Sequence, residues 1–216
     1  MKLRISTVVL FFLVAPLTNL NQYSAAASTP TSPTYQFAFD DTTTATTGSA
    51  TVTASPICGS APCLTTRGYG VDTGDKYWQW TTSNGGGLTV GNYSFSDTYT
   101  ILMDFSVASM ASYTRLLNFN EGDIGVYFLS NQIMYYNYSS PSVDTYSPNE
   151  RIKMVLTRDS SLITLYASST SHPTMVQQFQ IASSGKGVIK TQPTFMIFND
   201  DGNENATGGK IYSLSM

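Results

Sequence analysis

The chain offers few side chains with acid–base or nucleophilic capacity: three glutamates, Glu121, Glu150 and Glu204, and one histidine, His172. Glycoside hydrolysis needs two carboxyl groups facing one sugar bond, about 5–5.5 Å apart for retention and farther for inversion. Glu121, Asp123 and Glu204 are the suspects for such a pair. Asn, Gly and Asp are turn formers, so Asn120 to Asp123 reads as a solvated hairpin tip and not as part of a catalytic pair. A Ser-His-Asp set would need His172 to reach an activated serine, and no Gly-x-Ser-x-Gly elbow is present. His172 sits beside Pro173 in a polar stretch and reads as an exposed loop residue. A single histidine excludes a histidine-based metal centre.

Other residues could bind rather than react. Asn199, Asp200, Asp201, Asn203 and Glu204 crowd one short stretch, and calcium takes hard oxygen ligands of this kind. Asp200, Asp201, Asn203 and Glu204 are the candidate ligands of a structural calcium, with Asp72 and Asp75 as a possible second loop. Asp-Asp-Gly-Asn is also an ordinary turn, and both readings stand. Sugar rings stack on flat, exposed aromatics beside a few polar groups. In QIMYYNY, read as a strand, Tyr136 and Tyr138 share one face and are the candidate ligand-binding platform. Trp78 and Trp80 also share a face, and an aromatic-rich core would claim them.

These residues must be positioned by strands. In YTILMDFSV, Tyr99, Ile101, Met103, Phe105 and Val107 alternate with Thr100, Asp104 and Ser106, the period of a half-buried strand. YTRLLNF, DIGVYFL, RIKMVLTRD, SLITLYAS, MVQQFQI, TFMIFND and GKIYSLSM continue the series. Turn signals separate them at Asn120–Asp123, Ser130–Gln132, Arg158–Ser161 and Asp200–Asn203. About a dozen short strands with no amphipathic helix and no fixed repeat predict an all-β sandwich or barrel.

The chain opens with Lys2 and Arg4, an apolar run from Val8 to Val14, and Ala25-Ala26-Ala27, the three parts of a secretory signal peptide. The apolar run is shorter than the roughly 20 residues of a spanning helix, so no membrane insertion is expected. This predicts a signal peptide over 1–27, a short polar linker over 28–34 and one domain over 35–216, secreted to the extracellular space or cell surface. The formal charge is −3, and losing Lys2 and Arg4 makes the mature chain more acidic, which argues against nucleic acid as a partner. Two cysteines, Cys58 and Cys63 in CGSAPC, point to a disulfide in a secreted chain; zinc would want four ligands. Sequons at Asn92, Asn137 and Asn205 are no more than chance supplies in a chain this rich in Ser and Thr.

The order FSDTYTILMDFSV, YTRLLNF, DIGVYFL, RIKMVLTRD and FMIFNDDGNENATGGKIYSLSM resembles the LamG-like branch of the concanavalin A-like lectin/glucanase superfamily. The likeness runs from about Tyr99 to Met216, with weaker agreement from Tyr35, and its motifs are mostly structural. It implies an antiparallel jelly-roll β-sandwich of two sheets, and calcium at a sandwich rim is common among its members. The laminarinase-type members carry Glu-x-Asp-x-(x)-Glu on one strand, whereas Ile124, Gly125 and Val126 follow Glu121-Gly-Asp123 here. Fold alone does not give function. The expectation is a non-catalytic binding module for glycan or for extracellular-matrix or cell-surface components; a non-standard polysaccharide hydrolase or lyase and a structural coat or matrix protein are the alternatives.

Overall fold

The computed structural model describes residues 33–54, 57–58, 61–62, 67–80, 87–110, 113–139, 142–199 and 207–216. Among them the chain is all β. The strands are β1 (Gln36–Phe37), β2 (Thr51–Ala54), β3 (Ile57–Cys58), β4 (Ala61–Pro62), β5 (Arg67–Asp72) and β6 (Asp75–Trp80). There follow β7 (Leu88–Gly91), β8 (Tyr99–Val107), β9 (Thr114–Glu121), β10 (Ile124–Leu129) and β11 (Gln132–Tyr135). The last are β12 (Ile152–Arg158), β13 (Leu162–Ser169), β14 (Val176–Ala182), β15 (Thr194–Ile197) and β16 (Gly209–Ser215).

Two antiparallel sheets form the sandwich. The eight-stranded sheet runs β14-β13-β12-β8-β16-β6-β5, with β1 also pairing β16. The six-stranded sheet runs β11-β10-β9-β15-β7-β2. Tyr35 and Met216 exchange two backbone hydrogen bonds of 3.0 and 2.8 Å, which extend the pairing of β1 with β16. Among the described residues no helix is long and apolar enough to cross a membrane.

The predicted alternation of β8 holds: Tyr99, Ile101, Met103, Phe105 and Val107 are all buried in the core between the sheets. Burying such side chains contributes about 1.5–3 kcal/mol each. Aromatic contacts then pin sheet to sheet. Phe198, just past β15, stacks at 4.6 Å on Trp80 of β6, and Tyr135 of β11 meets Phe179 of β14 at 6.0 Å. Trp78 and Trp80 are thus core residues, stacked on each other at 5.5 Å.

Two predicted turns are hairpins. Ser130 and Asn131, both at positive φ (51° and 66°), link β10 to β11 in the two-residue geometry that matches strand twist. Gly122, at φ 65°, turns β9 into β10. Glu121 was expected in the turn itself; its backbone instead closes β9, opposite Ile124.

Candidate functional site

The β9–β10 pairing carries a bulge between Val126 and Tyr127. It lets Leu116 and Leu117 both enter the core and sets Arg115 opposite Tyr127 on the outer face of the six-stranded sheet. Arg115 is almost wholly buried there. Its guanidinium carbon lies 4.8 Å from the Tyr127 ring centre, and Nη2 donates to the Gly122 carbonyl at 2.6 Å. Arg115 therefore holds the hairpin turn that carries Asp123.

Three tyrosines close around this spot. Tyr136 meets Tyr113 edge-on at 5.5 Å and Tyr127 at 5.4 Å. With Asp123 they line a cavity of about 160 Å³. That is below the roughly 300 Å³ lower limit of sites for drug-sized ligands, and suits a single sugar-sized ring. Tyr113 keeps 44% of its surface in solvent and Asp123 is exposed, so the cavity offers π faces and a carboxylate to an incoming ring.

Of the two tyrosines named from the sequence, only Tyr136 belongs here. The sequence reading put Tyr136 and Tyr138 on one strand face, but β11 ends at Tyr135. The amides of Tyr138 and Ser139 both donate to the Tyr135 carbonyl at 3.0 Å, and Asn137 adopts φ 63°. This turn breaks the period-two alternation. Tyr138 instead packs on Tyr135 at 6.2 Å and under the Lys186 ammonium at 4.3 Å. Tyr113 and Tyr127 were missed: both sat in stretches read only as strand, and Tyr127, although on the outer face, is buried.

A larger polar cleft of about 780 Å³ lies on the other sheet, lined by Asp72, Glu150, Arg151, Ser171 and Tyr212 among others. Arg151 is gripped there. Its Nε and Nη2 donate to the two oxygens of Asp104 at 2.7 and 2.9 Å, its Nη1 donates to Asp75, and its plane covers the Tyr212 ring at 3.9 Å. Asp72 accepts from Lys210 at 2.9 Å and from the Tyr212 hydroxyl at 3.2 Å. Asp72 and Asp75, suggested from the sequence as a second calcium loop, are therefore engaged with basic side chains.

Glu150 and Ser171 line the cleft and His172 follows Ser171, so the residue types of a nucleophilic set meet beside it. Their order does not serve that chemistry. Ser171 Oγ donates straight to the Glu150 carboxylate and also lies 3.2 Å from His172 Nδ1. Burial pushes the Glu150 carboxyl up, but hydrogen bonds from Ser169, Ser171 and the amides of Ser147 and Ser171 outweigh it and lower its pKa from 4.5 to about 2. A carboxylate that weakly basic is a poor general base, and it is no proton donor at neutral pH. Lys210, hydrogen-bonded to Asp72, likewise holds that carboxyl below the usual range. His172, expected to be exposed, is half-buried and packs edge-on against Tyr146 at 6.1 Å.

The Glu150 arrangement makes a pH prediction. A folded pKa below the ordinary one means that its stabilisation is complete above about pH 4.5 and is lost as pH falls toward 2. Solvent screening limits it to about 1 kcal/mol. Thermal melts of wild type and Glu150→Gln should differ at pH 7, draw together below about pH 4.5 and converge only as pH approaches 2. Parallel curves over that range would refute the assignment.

The candidate calcium ligands Asp200, Asp201, Asn203 and Glu204 lie outside the described residues, as do Cys63, the Cys58 side chain, the Glu121 side chain and residues 1–32, which include the predicted signal peptide. Among the described residues no group of three His, Cys, Asp or Glu is placed to hold a metal ion.

No family model matches this sequence, and no curated protein matches it. Among solved structures the chain is similar to domain 4 of AbnA, a GH43 extracellular arabinanase from Geobacillus stearothermophilus, solved in complex with arabinotriose. The two are 14% identical over 84% of this chain and 90% of that one, with a TM-score of 0.60. Arcelin-5, a lectin-like defense protein from Phaseolus vulgaris, is 12% identical over 77% of this chain and 96% of its own, with a TM-score of 0.41. The Emp46p carbohydrate recognition domain is 15% identical over 70% and 86%, with a TM-score of 0.40. The likeness to the arabinanase domain is one of fold, and by its own strand order this chain is an all-β, two-sheet antiparallel jelly-roll sandwich.

Proposed function

We propose that the chain is a secreted, non-catalytic, LamG-like carbohydrate-binding module that holds one ring of a cell-surface or matrix glycan among Tyr113, Tyr127 and Tyr136. The observation that carries this reading is the convergence of three tyrosine rings and Asp123 on one ring-sized cavity. Tyr113 and Tyr136 stack on the C–H face of a sugar, the buried Tyr127 backs them, and Asp123 accepts from its hydroxyls. The arabinanase domain, solved with arabinotriose on a similar fold, supports the ligand class. The non-catalytic part of the reading is supported by Glu150, whose carboxylate is taken up by Ser147 and Ser171 instead of standing free as a base. A calcium ion on Asp200, Asp201, Asn203 and Glu204 and a Cys58–Cys63 disulfide belong to the same proposal, the ion as a structural brace.

Glycan-array screening, with calcium and with chelator, finds the ligand; calorimetry on the best glycan then tests the site. Tyr136→Ala and Tyr113→Ala should each weaken binding about tenfold or more, through loss of stacking and apolar contact. Tyr138→Ala should change affinity less than about twofold, since its ring faces Lys186 instead. A protein that binds no glycan in either condition, or whose affinity ignores Tyr136, would overturn the proposal.

A further inference from the structure

The outer face of the eight-stranded sheet holds three cavities that share walls. The central one, of about 780 Å³, shares Arg151 and Tyr212 with a second of about 430 Å³ and Asn149 with a third of about 260 Å³. They lie in series, from Gln79 and Gly209 at one end, past Asn149 and Arg151, to Asp40 and Asp75 at the other. We propose that this series is one groove for a linear, neutral oligosaccharide, on the opposite sheet from the tyrosine pocket and independent of it. Only the ligand class rests on the carbohydrate reading above.

The chemistry of the walls selects that class. The cations that line the groove are Arg151, Lys210 and Lys76, and each is committed, Lys76 to Asp41. Arg151 directs Nε and both terminal nitrogens at Asp104 and Asp75. Lys210 is bonded to Asp72 and lies over the Tyr77 ring at 4.4 Å. An acidic chain finds no uncommitted positive charge here and meets Asp72, Asp75, Asp104 and Glu150 instead. A basic peptide gains little either: Asp72, Asp75 and Asp104 are neutralised from within and the Glu150 carboxylate is taken up by hydrogen bonds from Ser147 and Ser171, which leaves the exposed Asp40 as a single charge at one end. What the groove still offers is acceptor capacity on carboxylates locked in orientation. Asp72 Oδ2 and Glu150 Oε1 each already accept two hydrogen bonds, but both oxygens of Asp104, Asp75 Oδ2 and Glu150 Oε2 accept one each and keep a second lone pair, and hydroxyls of Thr170, Ser171 and Thr73 stand beside the cleft. Fixed acceptors beside hydroxyls match a ligand whose donors are themselves hydroxyls, and their ion pairs mean that little is reorganised on binding. The serial arrangement fits a chain of several units, where a single pocket fits one.

Asn149 tests this, because it lines both the central and the third cavity and is exposed, at φ 64°. Glycine and aspartate both tolerate that backbone, so Asn149→Gly and Asn149→Asp should keep the melting temperature. The experiment uses the full chain carrying Tyr113→Ala and Tyr136→Ala, so that the tyrosine pocket is silent. Calorimetry with neutral hexasaccharides (cello-, xylo- and arabino-series) should show binding that strengthens from di- to hexasaccharide. Asn149→Gly should weaken it about three- to tenfold, the value of one or two hydrogen bonds. Hexagalacturonate and hexalysine should not bind. No neutral hexasaccharide bound by the double variant, indifference to Asn149→Gly, or binding of either charged hexamer would overturn the groove. The two proposals fail separately. If wild-type binding ignores the tyrosine substitutions but falls with Asn149→Gly, the groove stands and the tyrosine pocket does not.

Discussion

Replacing Phe198 with alanine is expected to lower the unfolding free energy by about 3–5 kcal/mol, the usual loss for a buried aromatic. Phe198 is 3% exposed and sits where the two sheets meet. Its ring stacks on Trp80 and meets Phe105 at 5.3 Å, so it fastens the six-stranded sheet to two strands of the other. Alanine would leave a cavity beside the Trp80 and Phe105 rings that cannot collapse without moving a sheet. The backbone at Phe198 also lies at φ 54°, a left-handed conformation that costs a bulky residue about 1–2 kcal/mol. Alanine keeps that cost. Glycine removes it while adding freedom to the unfolded chain, so Phe198→Gly should fall within about 1 kcal/mol of Phe198→Ala. Urea unfolding of the three proteins measures both differences. A loss below about 1 kcal/mol for Phe198→Ala would mean that the sheets are held elsewhere.

The second large effect is expected at Arg151. Its substitution by alanine should cost about 2–4 kcal/mol, less than a fully buried ion pair because the guanidinium remains partly in solvent. The loss comes from what is left behind. The Asp104 side chain is only 13% exposed and receives two hydrogen bonds from Arg151; without them its charge stays half-buried and uncompensated. The Tyr212 ring also loses the cation that covers it. An apolar pair should recover much of the loss, so Arg151→Met with Asp104→Leu should be more stable than either single variant. A double-mutant cycle by thermal or urea unfolding reads the coupling. Additive single losses would show that the pair is not a unit.

The fold was largely legible in the chain because strand burial is a local property. Alternating side chains point to opposite faces whatever the strand pairs with, so Tyr99 to Val107 announced their buried face. Ser130-Asn131 and Glu121-Gly122-Asp123 announced reversals by backbone preference alone. The candidate site was legible only in part. Tyr136 was marked by its aromatic neighbours in the chain, but its partnership with Tyr138 assumed that the strand ran on past Tyr135. Arg151, Asp104 and Asp75 carried no shared signature, since they lie 47 and 76 residues apart along the chain.

The sequence by itself determined that the chain is all β, which side chains of a strand such as Tyr99–Val107 face the core and where hairpins turn, because period-two burial and turn preference act over a few residues; that the strands form a two-sheet sandwich and not a barrel was decided by their pairing. Only the tertiary structure decided which outward-facing groups meet. The β9–β10 bulge brings Arg115 under Tyr127, the turn after Tyr135 parts Tyr136 from Tyr138, and the β12–β8 pairing, which sets Lys153 opposite Asp104, carries Arg151 to the Asp104 carboxylate. Each depends on register between strands distant in sequence, and register follows from the packing of the whole core rather than from any one segment.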